Sequence, residues 1–293
     1  MRRRFVTLDV FTTQRFAGNP LAVVLDSEGL DGAAMQAIAR EFNLSETVFV
    51  QPPSEPGHRA RLKIFTPTRE LPFAGHPTVG TAVLLARLDG GTAPRDIVVE
   101  ENIGPVRCHV VPSADGGFAR FDVPKLPEPV GAAPDTSAIA AALGITPDDV
   151  GFDKFVPAVW SAGNPFTFVP LRGRAQVARS RPDTSRWDAA FGRGGAFLFC
   201  GEPVAAQNAF YGRMYGHGLG IHEDPATGSA VAALAGMVAP TLGEGEHDLG
   251  IEQGFDMGRP SLIRLAVTVR QGKLAAAAIG GDAVVVSDGT IEA

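Results

Sequence analysis

Gly220-Ile221-His222-Glu223-Asp224-Pro225-Ala226-Thr227-Gly228-Ser229-Ala230, running straight into Val231-Ala232-Ala233-Leu234-Ala235, is the stretch on which the reading of this chain turns. Its second part is apolar all round and predicts a buried helix. The Gly228-Ser229 step ahead of it lets a backbone or ligand come close. The first N–H groups of a helix have no partner inside it, and together with the macrodipole they favour an anion. A carboxylate side chain beside an anion site is an odd pairing unless it handles protons. Standing alone, Asp224 would be read as a cap on a buried helix and nothing more. It does not stand alone.

Working outward, the same pattern occurs earlier in the chain. Asp224-Pro225-Ala226-Thr227-Gly228-Ser229-Ala230-Val231 echoes His76-Pro77-Thr78-Val79-Gly80-Thr81-Ala82-Val83. Ser161-Ala162-Gly163-Asn164-Pro165-Phe166 echoes Phe16-Ala17-Gly18-Asn19-Pro20-Leu21, and Gly195-Ala196-Phe197-Leu198-Phe199 echoes Glu46-Thr47-Val48-Phe49-Val50. The offsets are 148, 145 and 149 residues. Three matches in one order at nearly one offset indicate duplication. The register of the helix pair stays open, because Ala74-Gly75-His76 could instead face Thr227-Gly228-Ser229.

Between these landmarks the first half reads as strands at 5–11, 21–25, 46–50, 59–65, 96–101, 105–111 and 118–123, with helices over 31–42 and 83–88. The Pro-rich stretch 124–131 places a domain linker, giving halves 1–124 and 125–293. A helix follows near 135–143. The tail reads as antiparallel strands at 261–269, 273–279 and 283–287, and the final stretch, about 281–293, can return to the first half. Two similar α/β halves, each bringing a helix start to a shared cleft, would suit a small anion such as a carboxylate.

Composition narrows the function. With 293 residues and 45% hydrophobic content the chain can bury a full core in two domains. Its net charge of −6, without a run of like charges, argues against nucleic-acid or anionic-membrane partners. Met1-Arg2-Arg3-Arg4 resembles the start of a signal peptide, but Thr7, Asp9, Thr12 and Thr13 break the apolar core such a peptide needs. No apolar run approaches a bilayer span. Cys108 and Cys200, the only cysteines, read as reduced buried thiols of a cytoplasmic protein. The six histidines are scattered and no Cys pair exists, so no metal is expected.

The differences between the halves point to the chemistry. Where the first half has Glu46 the second has Gly195, and around the His76 slot it has Asp224 and Ser229. The cleft would then hold one Glu, one His and one Asp from three segments, and carboxylates in a partly dry cleft suit proton transfer near neutral pH. Taken singly, Glu46 would be an exposed residue before a strand and His76 a turn histidine bonded to backbone. Their place in repeated segments argues otherwise. Asn19 and Asn164 precede Pro in turns where Asn is at home for backbone reasons, and only Asn19 is taken as a ligand contact. There is no dinucleotide or Walker fingerprint and no nucleophile elbow at Ser229. Acid–base chemistry on a small anion, with no cofactor, is what remains.

The motifs Asp9-Val10-Phe11, Phe16-Ala17-Gly18-Asn19-Pro20-Leu21-Ala22-Val23, Asn43-Leu44-Ser45-Glu46-Thr47, Phe65-Thr66-Pro67, Glu70-Leu71-Pro72-Phe73-Ala74-Gly75-His76-Pro77-Thr78 and Glu223-Asp224-Pro225-Ala226-Thr227-Gly228-Ser229-Ala230 together resemble the PhzF-like phenazine-biosynthesis family, from about residue 5 to the C-terminus. The resemblance implies an α+β, diaminopimelate-epimerase-like fold: two pseudo-symmetric domains, each a mostly antiparallel sheet wrapped around a central helix. It also implies a cytosolic homodimer working without metal or organic cofactor. By motif, Glu46 is the acid/base that moves a proton, as in the family's isomerisation of trans-2,3-dihydro-3-hydroxyanthranilate. His76 and Asp224 assist and bind polar groups, and Gly75 with Gly228 and Ser229 hold the substrate's carboxylate. One departure stands out against diaminopimelate epimerases and proline racemases, which are similar in fold and use two cysteines. The matching positions near Ala74 and Thr227 carry no thiol here. The sequence thus favours a cofactor-free isomerase over an epimerase or racemase working with carboxylate and imidazole, and over an idle small-molecule binder.

Overall fold

The computed structural model describes residues 1–217 and 221–293; Gly220, which opens the stretch quoted above, lies outside them. Strand residues outnumber helical ones, 43% to 24%, so sheet organises a mixed α/β fold. The chain divides into two compact units, one of Met1–Asp122 with Gly280–Ala293 and the other of Val123–Ile279. The first division falls two residues before the expected end of the first half at 124.

The first unit contains β1 (Arg2–Val10), β2 (Asn19–Val24), α1 (Gly32–Phe42), β3 (Glu46–Gln51), β4 (Ala60–Phe65), β5 (Glu70–Leu71), α2 (Gly75–Leu88), β6 (Arg95–Glu101), β7 (Gly104–Pro112) and β8 (Gly116–Asp122). Asp31 caps α1 by accepting from the Ala34 N–H at 2.8 Å, and Asn43 ends it in the left-handed conformation. One face of α1, through Met35 and Ala39, packs on Val24, Phe49 and Phe65. β2 and β3 run parallel, with Leu21 beside Glu46, and β4 and β6 run parallel with Arg61 beside Glu100. β1–β2, β3–β4, β6–β7 and β7–β8 are antiparallel.

The second unit contains β9 (Glu128–Pro129), α3 (Thr136–Leu143), β10 (Ala158–Ser161), β11 (Pro165–Pro170), α4 (Arg174–Arg179), α5 (Thr184–Phe191), β12 (Gly195–Cys200), β13 (Phe210–Gly216), β14 (Ile221–Asp224), α6 (Gly228–Val238), β15 (Gly245–Gln253) and β16 (Ser261–Arg270), and leads into β17 (Lys273–Glu292). β11 and β12 run parallel with Phe166 beside Gly195; β13 and β15 run parallel with Tyr211 beside Glu252. The linker expected at 124–131 is partly structured, because Pro129 pairs with Trp160.

The tail departs from expectation in one respect. Instead of separate strands at 273–279 and 283–287, β17 is a single strand of 20 residues. Gly280 marks a close approach rather than a turn: a Cβ there would lie 2.7 Å from Arg120 Cβ and 3.0 Å from the Ala119 carbonyl oxygen. The last part of β17 pairs antiparallel with β1, from Val10 beside Ala283 to Arg2 beside Glu292, and β17 also pairs with β8. The first unit's pairings thereby close on themselves, running β1, β2, β3, β4, β6, β7, β8, β17 and back to β1. Closure leaves these strands no open edge. Helix α2 packs against β1, β2, β3, β6, β7 and β8, and every residue from Gly75 to Ala86 is buried. Helix α6 packs against β9, β10, β11 and β16.

Two buried-strand glutamates fasten loops in the same manner. Glu100 accepts from the Ser54 and Glu55 N–H groups and bonds to His58; Glu252 accepts from the Val204 and Ala205 N–H groups and from the Asn208 amide. The Ser54 and Glu55 amides hold the Glu100 carboxyl down at about 2. Among the described residues, no helix is long and apolar enough to cross a membrane.

Candidate active site

Glu46 is the first residue of β3, and His76 stands in the first turn of α2. The parallel β2–β3 ladder sets Glu46 at the mouth of that helix, and Nδ1 of His76 lies 3.0 Å from Glu46 Oε2. Both are sheltered, at 4% exposure for His76 and 13% for Glu46. Burial pushes the imidazole down from 6.5 to about 3, against a hydrogen bond to the Pro20 backbone. At neutral pH the ring is therefore uncharged. Nδ1 faces the Glu46 carboxylate, and Nε2 is buried without a hydrogen-bond partner.

The neighbours of this pair come from the first sequence motif. Asn19 opens β2, fully buried, opposite Val10. Gly75 is the first residue of α2, and its N-cap, Ala74, offers no side-chain hydrogen bond. The N-cap side chain therefore leaves the first N–H groups of α2 uncapped. The helix lies tight on the sheet, since a Cβ on Gly80 would sit 2.7 Å from atoms of Leu21 and Val10.

In the second unit Asp224 ends β14, beside Met214, and is 6% exposed. Its Oδ2 accepts from the Thr227 hydroxyl at 2.6 Å. Gln253, fully buried at the end of β15, fastens this turn three times. Its amide nitrogen donates to the Asp224 carbonyl at 2.7 Å and to Thr227 Oγ1 at 3.0 Å, and its amide oxygen accepts from the Thr227 N–H at 3.0 Å. Gly254 allows the approach: at φ +79°, a Cβ there would lie 2.6 Å from the Pro225 carbonyl oxygen. Thr227 is the N-cap of α6, with Gly228 first in the helix and a half-buried Ser229 second. The two helices start alike, with Ala74 and Thr227 as N-caps and Gly75 and Gly228 first in the helix.

Glu46 and His76 are thus brought together within the first unit, beside Asn19 and Gly75, while Asp224, Gly228 and Ser229 are held within the second. Gln253 escaped sequence reasoning, because a lone Gln at a strand end carries no pattern. The thiols take no part in either constellation. Cys108 and Cys200 are free and buried in β7 and β12, and burial pushes Cys200 up to about 11 and Cys108 further still. The N-cap positions that would need thiols carry Ala74 and Thr227.

A family model described as phenazine biosynthesis-like protein, PhzC-PhzF, matches residues 8–289. A protein of Mesorhizobium japonicum named as an uncharacterized isomerase is 52% identical over 99% of this chain and 98% of its own. The trans-2,3-dihydro-3-hydroxyanthranilate isomerase of Pseudomonas aeruginosa is 32% identical over 98% of each chain. The crystal structure of a PhzF-family phenazine biosynthesis protein from Bacillus anthracis is similar with a TM-score of 0.89 at 25% identity, covering 100% of both chains. Matched along its length by that family and by relatives named as isomerases, this chain belongs to the phenazine biosynthesis-like family and is an isomerase.

Proposed function

We propose that this isomerase moves a proton within a small carboxylate-bearing metabolite by acid–base catalysis, with no cofactor. Glu46 takes the proton from one carbon and returns it to another. The observation that carries this reading is the Glu46–His76 pair, a sheltered carboxylate 3.0 Å from an imidazole that burial keeps neutral. His76, beside Glu46, assists it and binds a polar group of the substrate. Asp224 binds and orients, with one of its oxygens engaged by Thr227. Gly75, Gly228 and Ser229 receive the carboxylate at open helix N–H groups, and Asn19 contacts the ligand. The similarity to trans-2,3-dihydro-3-hydroxyanthranilate isomerase over 98% of the chain supports a cyclic substrate of that general kind.

The reading also takes the chain as two pseudo-symmetric copies. The parallel registers Leu21–Glu46 and Phe166–Gly195 support it. The two glutamate fasteners support it independently, since Glu100 with Ser54, Glu55 and His58 matches Glu252 with Val204, Ala205 and Asn208 contact for contact. Where the first copy projects Glu46, the second has Gly195 packed against Phe166 and Met214, which leaves one copy to move the proton.

The test is solvent-deuterium exchange across cyclic and amino-acid carboxylates. Wild type should wash substrate C–H into D₂O, and Glu46→Gln should lower the rate by about 10²–10⁴-fold while still binding ligand. Net movement of a double bond identifies the isomerase; inversion at a stereocentre would instead favour an epimerase using carboxylate and imidazole. Absence of exchange in wild type with every ligand that binds would sink both.

A further inference from the structure

Glu101 is a buried carboxyl that the reaction as drawn does not use. It ends β6 at 7% exposure, with Oε1 2.7 Å from Thr78 Oγ1. The same Thr78 oxygen lies 2.8 Å from the carbonyl oxygen of Ala74, the N-cap of α2. A hydroxyl has one hydrogen, so it cannot donate to both acceptors. Both bonds form only if Glu101 carries a hydrogen of its own, donating to Thr78 while Thr78 donates to Ala74. The other carboxyl oxygen, Oε2, is buried without a hydrogen-bond partner, tolerable for a neutral acid and costly for a carboxylate.

Gln253 provides an internal comparison. It ends β15 one residue after Glu252, as Glu101 ends β6 one residue after Glu100, and those glutamates sit in matching parallel ladders. Gln253 donates to a threonine hydroxyl, Thr227, which donates to an acceptor, Asp224, at the start of the second unit's buried helix. An amide cannot ionise. The shared requirement is an uncharged donor at the strand end that fixes the helix start through a threonine.

We infer that Glu101 is a positioning residue, held as the neutral acid, which through Thr78 and Ala74 fixes the turn presenting Gly75 and His76. Burial pushes its carboxyl up to about 8, with the Thr78 hydrogen bond opposing. The groups facing it are Thr78 from α2 and the Cys108 thiol from β7, which Glu101 in turn pushes up. Above that pH the proton leaves, Thr78 can serve only one acceptor, and the turn loosens. The catalytic consequence rests on the role proposed above for Glu46 and His76; the protonation state does not.

Three proteins decide the matter: wild type, Glu101→Gln, and Glu101→Leu, which keeps bulk without a donor. Between about pH 4.5 and 8 the folded protein holds a proton on Glu101 that the unfolded chain has released, so stability falls as pH rises. The unfolding constant of wild type should rise relative to Glu101→Gln by up to about tenfold per pH unit across that window, read from urea unfolding. The ¹⁵N shift of the His76 imidazole should move near pH 8 in wild type, hold steady in Glu101→Gln, and differ at all pH values in Glu101→Leu. Substrate C–H exchange should fall above about pH 8 in wild type and lose that fall in Glu101→Gln. Parallel stability curves for wild type and Glu101→Gln would overturn the neutral acid. Identical His76 shifts in Glu101→Leu and Glu101→Gln would overturn the positioning role. Neither result depends on a substrate being found, so failure of the proposed reaction would be seen separately.

Discussion

His76 sets its own pH limit on stability as well as on chemistry. Its imidazole is neutral in the fold down to about pH 3, whereas in the unfolded chain it takes up a proton below 6.5. Its contribution is therefore whole above pH 6.5 and is lost as pH falls from there toward 3. His76→Gln keeps a neutral donor in place, and its urea midpoint should decline less than that of wild type between pH 6.5 and 4. Glu101 tilts stability the other way, down with rising pH. The two opposed slopes cancel between about pH 4.5 and 6.5, so these two buried groups together favour a mildly acidic optimum.

At the scale of elements, the helix starts depend on how closely α2 and α6 approach their strands. α2 meets β1 and β2 at Gly80, where any side chain would drive into Leu21 and Val10. Gly80→Ala should lower stability by about 1–3 kcal/mol through overpacking, outweighing the roughly 1 kcal/mol that alanine gains in helix propensity. A fall in Tm together with a weakened Glu46–His76 contact, seen as a changed His76 imidazole shift, is the expected outcome. An unchanged Tm would mean that the helix can slide away without loss. α6 has the same tightness against Trp160 at Gly236, so the tolerance of both helices for added bulk should be low.

For the whole molecule, the far end of the chain completes the first unit. β17 fills the place between β1 and β8, and without it the ring of strands around α2 opens. A chain ending at residue 279 should lose amide protection across 1–122 while 123–279 keeps most of its own, measured by hydrogen exchange. Retained protection in β1 and β8 would show that the remaining strands suffice.

Much of this was readable from residues alone. The ends of α1 were marked by Asp31 and Asn43, because local capping and apolar periodicity are written in adjacent residues, whereas α2, expected over 83–88, begins at Gly75. Glu46, His76 and Asp224 stood out because the repeats differ at those places. The single course of β17 was hidden, since Gly280, between the two expected strands, serves a close approach to β8. The Glu46–His76 contact, the neutral imidazole, and the fastening of the helix starts by Glu101 and Gln253 belong to the tertiary structure. Each joins residues more than twenty positions apart, and each depends on burial, which changes the charge a side chain can carry and which no local pattern records. The sequence marked the residues on which the proposed chemistry rests; burial decided the charge that His76 carries.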